Sequence, residues 1–217
     1  MLVLGDIGVE GIVSDMDIRP LAYFMLIGLT GRNASGKSTI VAWFSEKGLR
    51  TVSCSDSIRT WLAEQDIEQT RDALIEGGRE LRRQGGPGIL AELLLKSLDG
   101  ENAVIDSIRT PGEVEALRQR GDFTLIEVVS DMEARWQRSL KRARSGDPLD
   151  RVTFERQEKA EATTKDDAGQ ALNATAELAD ITLNNSGSID ELNKNLDELF
   201  ITLKRNGHGR PLPSSSR

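Results

Sequence analysis

The sequence predicts a three-layer α/β/α fold with a parallel central sheet, and three observations carry that reading. Short apolar stretches alternate with helix-length segments from Met25 onward, the spacing of strands joined by helical crossovers and covered on both faces. A glycine-rich turn, Gly31 to Thr39, lies between the first apolar stretch and the first amphipathic helix. Glycine and proline then mark the boundaries, at Gly48, at Gly85-Gly86-Pro87-Gly88 and at Pro111.

Taken in order, Met25 to Leu29 reads as a buried strand. Ser38 to Lys47 reads as a helix that stops at Gly48, a favourable C-terminal cap. Arg50 to Ser53 is a short second strand, followed by a helix through Ile58, Trp61 and Leu62. A helical region spans Thr70 to Arg83, and Ile89 to Leu98 resumes at helical spacing. Ala103 to Asp106 is a strand, Pro111 to Gln119 a helix opened by proline, and Phe123 to Val129 another strand. Met132 to Arg144 is a strongly basic helix and Thr153 to Ala176 a polar helical stretch. Asp180 to Asn184 is the last strand and Ile189 to Leu203 the last helix. The domain so defined is 25–203. The tail, 204–217, is expected to be disordered because Gly, Pro and Ser dominate its end. Residues 1–24 are read as an N-terminal extension, with an extra edge element as the alternative. Asp6, Glu10, Asp15 and Asp17 interrupt their apolar run, which is not that of a signal peptide.

Composition narrows the chemistry. The 217 residues are 29% charged and 38% hydrophobic with a net charge of -7, ordinary for a soluble globular chain and unfavourable for a general nucleic-acid surface. No stretch reaches the roughly 18 uninterrupted apolar residues of a spanning helix, so no membrane partner is expected. The single cysteine, Cys54, fits a reducing, cytoplasmic setting, and the single histidine, His208, sits in the tail. A Cys/His zinc site is therefore excluded and histidine catalysis disfavoured, leaving Lys, Arg, Asp, Glu and backbone amides to do any chemistry.

Gly31-x-x-x-x-Gly36-Lys37-Ser38 matches the P-loop pattern at every fixed position and in the strand-to-helix context it requires. Its backbone amides, in Gly31, Asn33, Ala34, Ser35, Gly36, Lys37, Ser38 and Thr39, would cradle the phosphates of ATP. Lys37 would neutralise charge between the β- and γ-phosphates, and the Ser38 hydroxyl would ligate Mg²⁺. The fold expected is thus the P-loop NTPase form of the three-layer architecture.

Asp106, at the end of its strand, is the candidate second Mg²⁺ ligand, and Asp56 the candidate to orient or deprotonate the acceptor. For both, a helix-capping role is the alternative. Arg59 and Arg109 each follow one of these aspartates by three residues, in Asp56-Ser57-Ile58-Arg59 and Asp106-Ser107-Ile108-Arg109. They would flank the cleft at the carboxyl ends of strands and hold an acceptor's phosphate, with surface ion pairing as the alternative. Arg135, Arg138 and Arg142 share one helical face, a cation stripe suited to closing over a transferring phosphoryl group. Trp43, Trp61 and Trp136 read as packing residues, with base stacking as the alternative for Trp61.

Ile27 through Thr39, with Phe44, Gly48 and Asp56, resembles the opening of dephospho-CoA kinase and its nucleoside monophosphate kinase relatives. Ala179 through Ser188 is similar to the closing segment of the same kinases, which lies near the adenine of ATP. The middle departs from dephospho-CoA kinase, which carries a histidine-proline element there. Thr70-Arg71, Leu81-Arg82, Gly86-Pro87 and Ile105 through Glu115 resemble instead adenylate-kinase-like P-loop proteins and the kinase-like region fused to deoxycytidylate deaminases. The deaminase half itself needs a His/Cys cluster that is absent.

The resemblance implies an ATP-Mg²⁺-dependent kinase for a small phosphorylated acceptor, most naturally a (deoxy)nucleoside monophosphate. Dephospho-CoA kinase and a non-catalytic nucleotide-binding module are the alternatives. It also implies a small helical acceptor region that includes Arg71, and a basic lid of about 135–165 containing Arg138, Arg142 and Arg144, tipped by Arg144 through Pro148. A monomer or weak dimer is expected.

Overall fold

The computed structural model describes residues 24–143, 148–162 and 171–207. Its strands are β1 (Leu26–Thr30), β2 (Arg50–Ser53), β3 (Ala103–Asp106), β4 (Phe123–Val129) and β5 (Ile181–Asn184). They form one sheet in the order β2-β3-β1-β4-β5, every pairing parallel, with Leu26 opposite both Ala103 and Phe123. The helices are α1 (Lys37–Glu46), α2 (Cys54–Glu64), α3 (Arg71–Gly85), α4 (Ile89–Leu98) and α5 (Pro111–Arg118). They continue with α6 (Met132–Arg142), α7 (Arg151–Ala162), α8 (Leu172–Ala176) and α9 (Ile189–Gly207).

Alternation along each strand divides the core into two layers. Ile27 and Leu29 of β1, with Val104, Ile126, Val128 and Leu183, pack against Ile40, Trp43 and Phe44 of α1 and Leu192, Leu196 and Phe200 of α9. Leu26, with Ala103, Ile105 and Leu125, packs against Ile58 and Leu62 of α2, Leu81 of α3, Leu90 and Leu94 of α4 and Val114 and Leu117 of α5. The architecture is the expected three-layer α/β/α fold.

Two strand-to-helix turns are closed by reciprocal side-chain caps. At α2, Ser53 accepts from Ser55 N–H while the carboxylate of Asp56 accepts from Ser53 N–H; at α5, Thr110 and Glu113 make the same exchange and Pro111 presets the first turn. Two expectations change. The polar stretch from Thr153 contains two helices, α7 and α8, and 163–170 between them lie outside the described residues. The last helix runs to Gly207, so 204–207 are helical and not tail; Leu203 is buried and Lys204 Nζ lies 4.3 Å from the Phe200 ring centroid, which extends the packed face. Residues 1–23 and 208–217 lie outside the described residues.

The strand order positions the site. From β1 the chain passes through α1 to β2 on one side, and from β3 it passes through α5 to β4 on the other. The loops after β1 and β3 therefore diverge, opening a crevice at their carboxyl ends.

Phe44 is fully buried, its ring edge-on to Trp43 at 5.1 Å and to Phe200 at 6.1 Å. Phe44→Ala is expected to remove about 3–5 kcal/mol of stability, read as a lower urea midpoint at unchanged slope. A loss under about 1 kcal/mol would contradict the role given to the α1/α9 layer.

Candidate phosphate-binding site

The loop after β1 closes on itself through its carbonyls. Lys37 Nζ donates to Gly31 O at 2.7 Å and to Arg32 O at 2.9 Å, and lies 3.4 Å from Ser35 Oγ. Gly31 and Gly36 have φ of +132° and +102°, which side chains strongly disfavour. A Cβ at Gly36 would also fall on the side-chain amide of Asn185, just past β5. That amide donates to Ser35 O at 2.8 Å, and Arg138 Nη1 reaches the same carbonyl at 3.4 Å. Gly36 O accepts from Thr39 N–H at 3.0 Å and opens α1.

The opposite wall is the loop after β3. Asp106 Oδ1 accepts from Ser107 N–H at 2.6 Å, and Ser107 sits at φ +64°, a left-handed conformation costly for serine. Thr30 Oγ1 donates to Ile108 O at 3.0 Å, tying the two loops together. Buried Glu113 accepts from Arg109 N–H at 2.8 Å, Thr110 N–H at 3.2 Å and Arg82 Nη2 at 2.9 Å, while Thr110 Oγ1 donates to Pro87 O at 3.1 Å. The Arg82–Glu113 pair thus joins α3 to the start of α5 and fixes the backbone on which Arg109 stands. On α2, Arg59 donates to Ser55 Oγ at 2.7 Å and pairs with Asp56 at 3.2 Å; the pair is substantially exposed and contributes little stability.

Arg138 and Arg142 of α6 reach the loop, and the arginines of that helix divide into different tasks. Arg135 is buried, pairs with Glu158 of α7, donates to Ser130 O at 2.9 Å and stands 5.9 Å from the Phe154 ring. Its pKa is lowered from the ordinary guanidinium value, by burial first and by Arg32 second. Arg138 binds Ser35 O, Ser130 Oγ at 3.0 Å and Asn185 O at 2.7 Å. Arg142 Nη2 donates to Asn33 Oδ1 at 3.1 Å. Arg32 joins the loop to α8 through Asn173 Oδ1 at 3.2 Å and to α7 through Glu158 at 3.9 Å. Arg144 and the proposed lid tip lie outside the described residues through 147, and so does the side chain of Arg71.

A cavity of about 530 Å³ opens between α2, α3 and α4. Asp56, Trp61, Glu64, Leu81, Ile89 and Leu93 are among its lining residues. No group of three or more His, Cys, Asp or Glu suited to a metal occurs among the described residues. Mg²⁺ typically takes one or two carboxylates and completes its shell with phosphate and water. Ser38 is exposed in the first turn of α1 and Asp106 half-buried across the crevice, so the donor set fits that ion.

Asn185, Glu113, Glu158 and Arg32 were not singled out from the sequence. Only Glu113 carried a local signal, the Thr110-x-x-Glu113 capping pattern after a strand. Among the described residues, no helix is long and apolar enough to cross a membrane.

No protein-family model matches the chain. A UPF0200 protein of Pyrococcus furiosus is 31% identical over 184 residues, spanning 81% of this chain and 96% of the relative. The crystal structure of TT1252 from Thermus thermophilus superposes with a TM-score of 0.58 at 20% identity, covering 84% of this chain and 99% of that one. Shikimate kinase from Acinetobacter baumannii in complex with shikimate superposes at 0.51 and 18% identity, covering 83% and 95%. These two superpositions establish a shared fold.

Cys54, at the start of α2, is buried, and its thiol pKa is raised well above the ordinary value, by burial above all and by Glu113 next. It is expected to resist a thiol-disulfide reagent at pH 8 in the folded chain and to react fully in concentrated guanidinium. Rapid labelling of the folded chain would mean that the α2–α5 layer opens readily.

Proposed function

The chain belongs to the UPF0200 family, and we propose that it is an ATP-dependent phosphotransferase acting on a small phosphorylated metabolite, a (deoxy)nucleoside monophosphate. The observation that carries this reading is the Gly31–Thr39 loop, whose left-handed glycines, helix N-terminus and Lys37 form an anion cradle at the crevice between β1 and β3. Shikimate kinase, one of the proteins that share this fold, supports the reaction class.

In this reading the loop amides and Lys37 hold the triphosphate. Ser38 and Asp106 are the residues that would hold Mg²⁺, which supplies charge neutralisation on the phosphate oxygens. The acceptor oxygen attacks the γ-phosphorus, the bond to the β–γ bridging oxygen breaks, and ADP departs with that electron pair. Arg142 and Arg138 bring positive charge beside the loop, while Arg59, Arg109 and Arg71 receive the acceptor's phosphate and Asp56 orients it. Such transfer depends on positioning and electrostatics and requires no histidine.

One observation favours a second acceptor class. Among the described residues, the cavity beside Asp56 is lined by two carboxylates, Asp56 and Glu64, and by no lysine or arginine, a setting that favours a neutral hydroxyl compound over an anion. There Asp56 would take the hydroxyl proton as the new P–O bond forms.

ADP release from ATP-Mg²⁺ should be measured with ribo- and deoxynucleoside monophosphates, dephospho-CoA and unphosphorylated nucleosides and hydroxy acids. Strong stimulation by a monophosphate, reduced about a hundredfold or more in Lys37→Ala, is expected. Stimulation by an unphosphorylated hydroxyl compound alone would select the second acceptor, and turnover of dephospho-CoA alone would name that kinase. ATP binding without stimulation by any of them would contradict the transferase reading in favour of a binding module.

A further inference from the structure

The carbonyl of Ser35 is turned toward two donors from outside the loop, Asn185 past the end of β5 and Arg138 of α6. Ser35 is fully buried, so its carbonyl depends on protein partners. Asn185 Nδ2 donates to it at 2.8 Å across a separation of 150 residues, and Arg138 Nη1 approaches at 3.4 Å. A carbonyl only accepts, so the Asn185 side chain must present its NH₂ there. Asn185 is itself fixed: it is 7% exposed, its N–H donates to Val129 O at 2.8 Å, and its own carbonyl accepts from Arg138 Nη2 at 2.7 Å. Arg138 is braced in turn by Ser130 Oγ at 3.0 Å.

Across a trans peptide the C=O and the next N–H point in opposite directions, and the structure contains no cis peptide among the described residues. Holding Ser35 C=O outward therefore holds Gly36 N–H inward, at the start of α1 where the helix end favours negative charge. We propose that Asn185, together with Arg138, is a positioning pair that sets the Ser35–Gly36 peptide so that Gly36 N–H meets the phosphate of a bound nucleotide. The inference rests on the nucleotide site proposed above. It requires no phosphoryl transfer.

The arrangement also explains the demand for glycine at position 36 beyond its positive φ. The Asn185 amide occupies the space that a Cβ would take, so loop and amide are built for contact. Because Arg138 stands on α6, the same bonds tie that helix's position to the orientation of one loop amide.

The test is titration of the full chain with Mg-ADP, using Asn185→Ala and Asn185→Leu; the latter keeps most of the volume and removes the donor. Each variant is expected to bind about tenfold or more weakly, the size of one hydrogen bond to a charged phosphate that Gly36 N–H no longer makes. Their thermal midpoints without nucleotide should stay within a few degrees of the parent, about what a change near 1 kcal/mol produces. In a chain carrying ¹³C-serine and ¹⁵N-glycine, the assigned Gly36 amide should shift on adding Mg-ADP in the parent and shift far less in the variants, a response that general destabilisation would not select. Equal Mg-ADP affinity in parent and folded variants, or an unchanged Gly36 shift, overturns the proposal. A parent that binds Mg-ADP but transfers phosphate to no acceptor overturns only the kinase reading, and a parent that binds no nucleotide overturns both.

Discussion

A loop can offer its N–H groups to an anion only if its carbonyls are satisfied somewhere else, and that constraint organises this molecule. Gly31 O and Arg32 O are taken by Lys37 Nζ, Ser35 O by Asn185 and Arg138, and Gly36 O by the first turn of α1. Each donor is supplied by a different part of the fold. Lys37 comes from α1, Asn185 from the end of β5, and Arg138 from α6, which follows β4. Parallel strands deliver their carboxyl ends to one edge, so the β4 and β5 ends arrive beside the β1 loop without long connections. The sheet order is thus what makes the carbonyl accounting possible.

The two core layers support the two walls of the crevice unequally. The α1/α9 layer lies beneath the phosphate loop and is held by aromatic packing among Trp43, Phe44 and Phe200. The α2–α5 layer lies beneath the loop after β3 and contains a buried ion pair, Arg82–Glu113. Burying two charges costs several kcal/mol per ion before their attraction and hydrogen bonds offset it, so the pair is weak evidence for stability. Its geometry instead fixes register: Glu113 binds the backbone of Arg109 and Thr110 and cannot do so if α5 slides by a residue. The loop that carries Asp106 and Arg109 is therefore tied to α3 and α5 together.

What was legible in the sequence was whatever local physics decides. The ranges Arg50–Ser53, Ala103–Asp106 and Phe123–Val129 recur unchanged as strands; the last two are short apolar-rich runs next to turn residues, and the first is a short β-branched pair between two helices. The phosphate loop was legible because glycine spacing and the strand-to-helix context are contiguous. Asp56 was legible as a residue of interest with an N-cap as the alternative; the structure makes Ser53 the N-cap and places Asp56 three residues on, where its carboxylate returns to the Ser53 N–H. The break between α7 and α8 and the extra turn of α9 were not legible, since polar helix formers read alike inside and just beyond a helix. Asn185 could not be found locally. Its partner lies 150 residues away, and an asparagine after a strand ordinarily signals only a turn.

The same distinction governs the arginines of α6. Their common face was readable from their spacing, but spacing cannot say which charge each one meets. Arg135 is compensated by Glu158, a carboxylate as buried as itself, and so works chiefly as a brace between α6 and α7. Arg138 meets carbonyl and hydroxyl oxygens, neutral groups that satisfy its N–H donors without cancelling its charge. A cation bonded to neutral oxygens in a partly buried place still projects its field, and the low local dielectric strengthens that field. In a chain of net charge -7, this is how a small positive region is kept at the phosphate loop: the protein positions one guanidinium through neutral oxygens on the loop's own backbone. In the proposed nucleotide site, the side chain that orients the Ser35 peptide would thereby also attract the anion that the peptide is oriented to receive.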